Sequence, residues 1–195
     1  MNDTLLWYTT RGAGAVTLVL LTAVVVLGVL TAVRFETDRW PRIVSAGLHR
    51  NLALLSMIFL GLHIVTAVAD PYAHLGWVSA LVPFASWYRT FWLGLGTVAA
   101  ELMLAIVATS LLRRVVGPGS WRTVHWLAYA SWPVAFAHGL GTGTDSGSAW
   151  LLGLDAVCAG AVVVAAVGRL WLRPADHLAR ARDLFKATTE RPAQP

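Results

Sequence analysis

Four histidines stand where histidines are costly. His49 and His63 lie fourteen residues apart in IVSAGLHRNLALLSMIFLGLHIVTAVA, which runs from Ile43 to Ala69. His125 and His138 lie thirteen apart in VHWLAYASWPVAFAH. Both stretches are apolar enough to cross a bilayer, and an ionisable side chain inside such a span marks function by default. A neutral imidazole offers two chemistries there. It can hydrogen-bond a neighbouring helix, or it can give a ring nitrogen to a metal.

The elements that must position these residues follow from composition. Of the 195 residues, 57% are hydrophobic and 13% charged, whereas soluble domains carry about 25% charged residues. A chain this short cannot hide so much apolar surface in a soluble core, so the sequence reads as an all-α integral membrane protein. Arg11 and Arg34 bracket 22 uncharged residues, enough for one span at about 20 residues. The start of the chain has neither a basic leader nor a small-residue cleavage site, so this run is expected to be retained. The second span is Ile43 to Ala69, ended by Asp70 and Pro71. The third lies between Arg89 and Arg113, the fourth runs from Thr123 to about Gly141, and the fifth from Trp150 to Trp171. Between the second and third, Trp77, Trp87 and Tyr88 flank ALVPFAS, a segment suited to the membrane surface. RRVVGPGSWR reads as a Gly-Pro-Gly turn.

Charge placement sets the orientation. Fourteen of the fifteen basic residues are arginine, and they fall in short runs between apolar spans. That is the pattern of membrane loops and not of a nucleic-acid surface. Thirteen basic residues lie on one side and only Arg11 and Arg89 on the other. The positive-inside rule then gives five helices with the N-terminus outside and the C-terminus cytoplasmic. The parity of five spans agrees with the count. The single cysteine, Cys158, lies inside an apolar run, so no disulfide framework exists.

With this topology spans two and four run in the same direction. His49 and His125 fall near the cytoplasmic face, and His63 and His138 fall deeper or nearer the outside. At 1.5 Å per residue the two levels are roughly 20 Å apart. One imidazole from each helix at each level suits a six-coordinate haem, with one ligand above the ring and one below. On span two, fourteen residues bring His63 back to within about 40° of His49. Ala53 and Ser56 lie between them and are small enough to leave room for a flat macrocycle. On span four, thirteen residues leave His138 about 140° out of phase with His125. Pro133 lies between these two and can kink the helix. Structural histidines and a bare transition-metal site stay open as alternatives.

LHRNLALLSMIFLGLHI, LVPFASWYRTFWLGLGT and WRTVHWLAYASWPVAFAHGLGTGTD resemble actinobacterial members of the ferric reductase-like transmembrane domain family. That family contains fungal ferric reductases, NADPH oxidases and the haem-binding subunit of the bacterial periplasmic methionine sulfoxide reductase system. Its members carry two histidines fourteen apart on one helix and two thirteen apart on a later one, as His49/His63 and His125/His138 do here. The resemblance covers most of residues 1–172 and implies a transmembrane haem domain there, followed by a polar cytoplasmic tail over 173–195. It also implies that the thirteen-residue spacing is tolerated. The oxidases and fungal reductases continue into a flavin and nicotinamide domain. Only 23 residues follow Leu172 here, with Leu178, Ala181 and Phe185 spaced for a short amphipathic helix. Because no dinucleotide-binding strand–loop–helix unit is present, a separate partner is expected to supply electrons.

The other candidates are secondary. Arg50, beside His49, and Arg122, three residues before His125, are placed to hold haem propionates, or they serve only as topology arginines. Trp132 lies between the two histidine levels, as an aromatic bridge or as core packing. Glu101 falls near the middle of the third span, where it can take part in a proton or quinone site or partner a histidine. Asp155 lies nearer the outer end of its span. His74 and His177 read as surface residues.

The sequence is therefore expected to encode a di-haem b-type cytochrome of a bacterial plasma membrane, in which His49–His125 and His63–His138 are the inner and outer axial pairs of two haem b groups. Electrons would pass from a cytoplasmic flavoprotein or quinol to an extracytoplasmic acceptor: ferric iron, oxygen or a redox partner protein. Flavin or quinone would belong to a partner or to the membrane. The alternative is a membrane anchor or transporter subunit whose histidines bind a bare metal or are structural. The topology has a direct test. A fluorescent protein fused after Pro195 should fluoresce in the cytoplasm, while alkaline phosphatase fused there should stay inactive; the reverse pattern would overturn the orientation.

Overall fold

The computed structural model describes residues 2–71, 75–143 and 147–171. His74, His177 and the tail 173–195 lie outside them. The elements are α1 (Asn2–Ala32), α2 (Arg42–Ala69), α3 (Trp77–Leu81), α4 (Thr90–Leu111), α5 (Arg113–Val116), α6 (Pro118–Trp126), α7 (Ala128–Thr142) and α8 (Ala149–Trp171). Among the described residues there is no strand beyond a single bridge between Thr37 and Trp40. Four helices, α1, α2, α4 and α8, are long and apolar enough to cross a membrane. They match the first, second, third and fifth spans read from the sequence. α1 begins earlier than expected and carries Arg11 within it.

Local chemistry explains the boundaries. Pro41, at φ −65° and ψ 149°, is extended and opens α2. The link before it is tied down by the Trp40 indole, which donates to Ser45 Oγ at 2.7 Å. α2 stops at Asp70 (φ −73°, ψ 118°) because Pro71 has no amide to donate and forces the preceding residue out of the helical region. The surface segment forms α3, whose Trp77, Val78 and Leu81 are exposed and whose Ser79 carbonyl accepts from Thr97 Oγ1 on α4. Arg89 opens α4 and donates from Nη1 to the Gly141 carbonyl at 2.6 Å. The first residues of α4 are thereby clasped to the carbonyl end of α7, where a cation is favoured.

Two stretches differ from the sequence reading. RRVVGPGSWR is mostly helical: α5 and α6 are separated only by Gly117 at φ 82°, with Pro118 at the first position of α6, where its missing amide costs nothing. The stretch read as a fourth span is two helices, α6 and α7, joined at Leu127. Around that joint Leu127 N–H donates to the Val124 carbonyl and Ala130 N–H to the Leu127 carbonyl, three-residue turns in place of four-residue ones. Pro133 lies further on, inside α7, where it removes the amide that would bond four residues back to Tyr129.

The bundle packs as two helix pairs, α2 along α1 and α7 along α4, with α8 against α1. Its centre is Leu21, Met103, Trp132 and Cys158, one residue from each of α1, α4, α7 and α8. Trp132 stacks on Phe136, and its indole N–H donates to Thr22 Oγ1 at 2.9 Å, a buried bond. Thr22→Val leaves that N–H without an acceptor in an apolar core. It should lower stability by about 1–3 kcal/mol, measured by thermal unfolding in detergent; an unchanged unfolding temperature would show that the bond contributes nothing.

Candidate functional site

The four histidines come together in the two pairs expected. His49 on α2 faces His125 on α6, with ring centroids 6.1 Å apart and planes at 70°. His63, two turns before the end of α2, faces His138 on α7 at 6.2 Å and 79°. Two imidazoles on opposite sides of one metal ion, at metal–nitrogen bonds of about 2 Å, have centroids about 6 Å apart. α2 packs along neither α6 nor α7, so the facing rings bridge a gap between helices. Between the two levels both helices carry small residues. Ser56 on α2 and Ser131 on α7 are each 1% exposed, with hydroxyls turned back to the Ala53 and Ala128 carbonyls.

The phase difficulty at His125 and His138 is met by the joint. The two residues sit on different helices, and the tightened turns at Leu127 let each ring find its own partner.

Three of the rings are fixed by the main chain. His49 Nδ1 lies 2.9 Å from the Val24 carbonyl, His63 Nδ1 2.9 Å from the Thr10 carbonyl, and His138 Nδ1 2.9 Å from the Trp92 carbonyl. A carbonyl only accepts, so Nδ1 carries the proton in each case and Nε2 keeps its lone pair. Thr142 Oγ1 lies 3.1 Å from His138 Nδ1 as well. Orientation of one imidazole nitrogen by a main-chain acceptor is the usual outer support of a metal-binding histidine.

Each anchor depends on a glycine four residues further along. A Cβ on Gly14 would come within 3.0 Å of His63 Nδ1, one on Gly28 within 3.3 Å of the His49 ring, and one on Gly96 within 2.5 Å of the His138 ring. On α1 the carbonyl–glycine unit therefore occurs twice, Thr10/Gly14 and Val24/Gly28, at the same fourteen-residue interval as His49 and His63. The interval between Gly14 and Gly28 is visible in the sequence but acquires meaning only beside the histidines.

A cavity of about 270 Å³ surrounds the His63–His138 pair, with Gly14, Gly96, Arg11 and Tyr88 in its wall. Arg11, read from the sequence only as a topology residue, is thus placed beside this pair. Arg50 and Arg122 are exposed near the other pair. Trp132 lies in the core between the two levels. Glu101 is exposed on α4 and belongs to neither pair. Asp155 lines the cavity, and Cys158 is core packing. Among the described residues no His, Cys, Asp or Glu joins to make a group of three that could hold a metal ion.

No family model matches the chain, and neither a curated protein nor a solved structure matches it. Function must therefore be argued from the site.

Alanine at the three glycines should disturb the histidines in the order of the approach distances: Gly96→Ala most, Gly14→Ala less, Gly28→Ala least. The measurement is metal or cofactor occupancy of the purified variants. Equal effects, or an inverted order, would show that the glycines do not shape the slots.

Proposed function

We propose that the chain is a five-span, di-haem b-type cytochrome of a bacterial plasma membrane. In this reading α6 and α7 together make the fourth crossing. The protein would pass electrons from a cytoplasmic flavoprotein or quinol to an extracytoplasmic acceptor, namely ferric iron, oxygen or a redox partner protein. The observation that carries the reading is the pair of imidazole–imidazole separations, 6.1 and 6.2 Å, at two levels of one gap. The group fits the residues present. Two axial nitrogens per site are what haem iron takes from a protein, whereas a bare transition ion draws three or four protein ligands. The resemblance to the ferric reductase-like family points the same way.

Haem bound at the two pairs would supply one-electron redox chemistry. The protein's part is to bind, orient and insulate. His49 and His125 would hold the inner group, and His63 and His138 the outer. The carbonyls of Thr10, Val24 and Trp92 set three ring orientations and raise the basicity of the ligating nitrogens. Arg11 lines the outer cavity and would face the propionates there, as Arg50 and Arg122 would at the inner end. Trp132 and Phe136, stacked at 5.0 Å, would place aromatic density between the two levels.

The test is a haem count with a reduced-minus-oxidised spectrum on detergent-purified protein. Two b-type haems per chain are expected. Near-perpendicular ring planes should give the ferric form strongly anisotropic low-spin resonance signals. His63→Ala or His138→Ala should remove one haem and leave the other. A protein without haem, from cells supplied with it, would overturn the reading in favour of an anchor or transporter subunit; equal loss of both haems from either variant would overturn the pairing.

A further inference from the structure

His125 is held differently from the other three. Its Nδ1 is buried and has no hydrogen-bond partner, while the corresponding atoms of His49, His63 and His138 each meet a main-chain carbonyl. The register of α4 shows why. His138 is anchored by the Trp92 carbonyl and the Gly96 slot. Fourteen residues on, the interval at which the unit recurs on α1, α4 carries Ile106 and Ser110. A serine replaces the glycine, and its hydroxyl donates to the Ile106 carbonyl at 2.7 Å. The acceptor that a fourth anchor would use is thus taken.

Another contact stands in its place. The Trp121 indole, one turn before His125, stacks on the imidazole with centroids 5.0 Å apart and planes at 26°. Trp121 Nε1 donates to Ser110 Oγ at 3.2 Å, and the Arg113 guanidinium lies over the same indole at 4.7 Å. Ser110 therefore closes off one support and provides another.

We propose that Trp121 is the positioning residue for His125, its indole face setting the plane of that imidazole by stacking where the other three are set by hydrogen bonds. The inference rests on the haem reading above. Besides the facing His49 ring, the Trp121 stack is the contact among those described that bears on rotation of the His125 ring about its Cβ–Cγ bond. A ring held by a face contact also lacks the Nδ1 hydrogen bond that supports the other three.

The experiment uses the purified holoprotein and compares Trp121→Ala, which removes stack and tether, with Trp121→Phe, which keeps an aromatic face and loses the tether. The readouts are haem content and the low-temperature resonance spectrum, the inner signal being the one lost in His49→Ala. Trp121→Ala should shift or broaden the inner signal, or lose the inner haem, while the outer signal stays unchanged; Trp121→Phe should restore the wild-type inner signal. Where the Trp121→Ala protein keeps its inner haem, carbon monoxide added after reduction should bind at that centre only. Two wild-type signals in Trp121→Ala, a loss affecting both centres equally, or a Trp121→Phe protein as altered as Trp121→Ala would each overturn the inference. Wild-type protein lacking haem would instead overturn the reading it rests on.

Discussion

A main-chain carbonyl can take only a proton donor, and an imidazole that gives it Nδ1–H has one lone pair left to spend. Thr10, Val24 and Trp92 impose that condition on His63, His49 and His138. Tautomer and direction are settled together, before any ligand arrives. These carbonyls already serve helices α1 and α4, so the imidazoles must come in beside an existing hydrogen bond. The glycines make that approach possible. The rest of the bundle keeps α1 and α4 close behind the histidine-bearing helices, so that each ring lies between an acceptor at its back and a facing ring at its front.

The same condition shapes the packing. α2 and α7 are each held tightly on one side, by α1 and α4, and stand apart on the side where the rings face. Apolar helices in a membrane gain little from the hydrophobic effect and associate through close van der Waals packing and hydrogen bonds. The gap is therefore sustained by contacts elsewhere: the Trp132–Thr22 bond, the four-helix centre around Met103 and Cys158, and the Arg89 clasp on α7.

Much of this was legible in the residues. The spacing of His49 and His63 placed both on one face of a helix, and charge placement matched His125 and His138 to them by depth; the structure brings together those same pairs. Four apolar helices fall where the apolar runs of the sequence put them. The fourth crossing was less legible, because a hydropathy run does not register that the turns at Leu127 divide it. The glycine slots were hidden for a different reason. Gly14 and Gly28 lie in a run of small and branched residues where glycine is common, and only the imidazole seated against each distinguishes them from ordinary packing. Arg11 was hidden by its place near the start of an apolar run, where an arginine ordinarily marks a membrane boundary. The weak link at His125 was beyond sequence reading altogether, since it depends on which carbonyl a serine hydroxyl chooses.

The joint at Leu127 also divides labour between the two histidine-bearing arms of the bundle. α2 carries His49 and His63 on one unbroken helix of 28 residues and works as a ruler: inserting a single residue between them would advance one level by about 1.5 Å and swing His63 about 100° around the axis. α6 and α7 form a follower, two rigid pieces whose junction can absorb a change of length or angle. In the proposed cytochrome, the distance an electron must tunnel between levels is thus written into α2 alone.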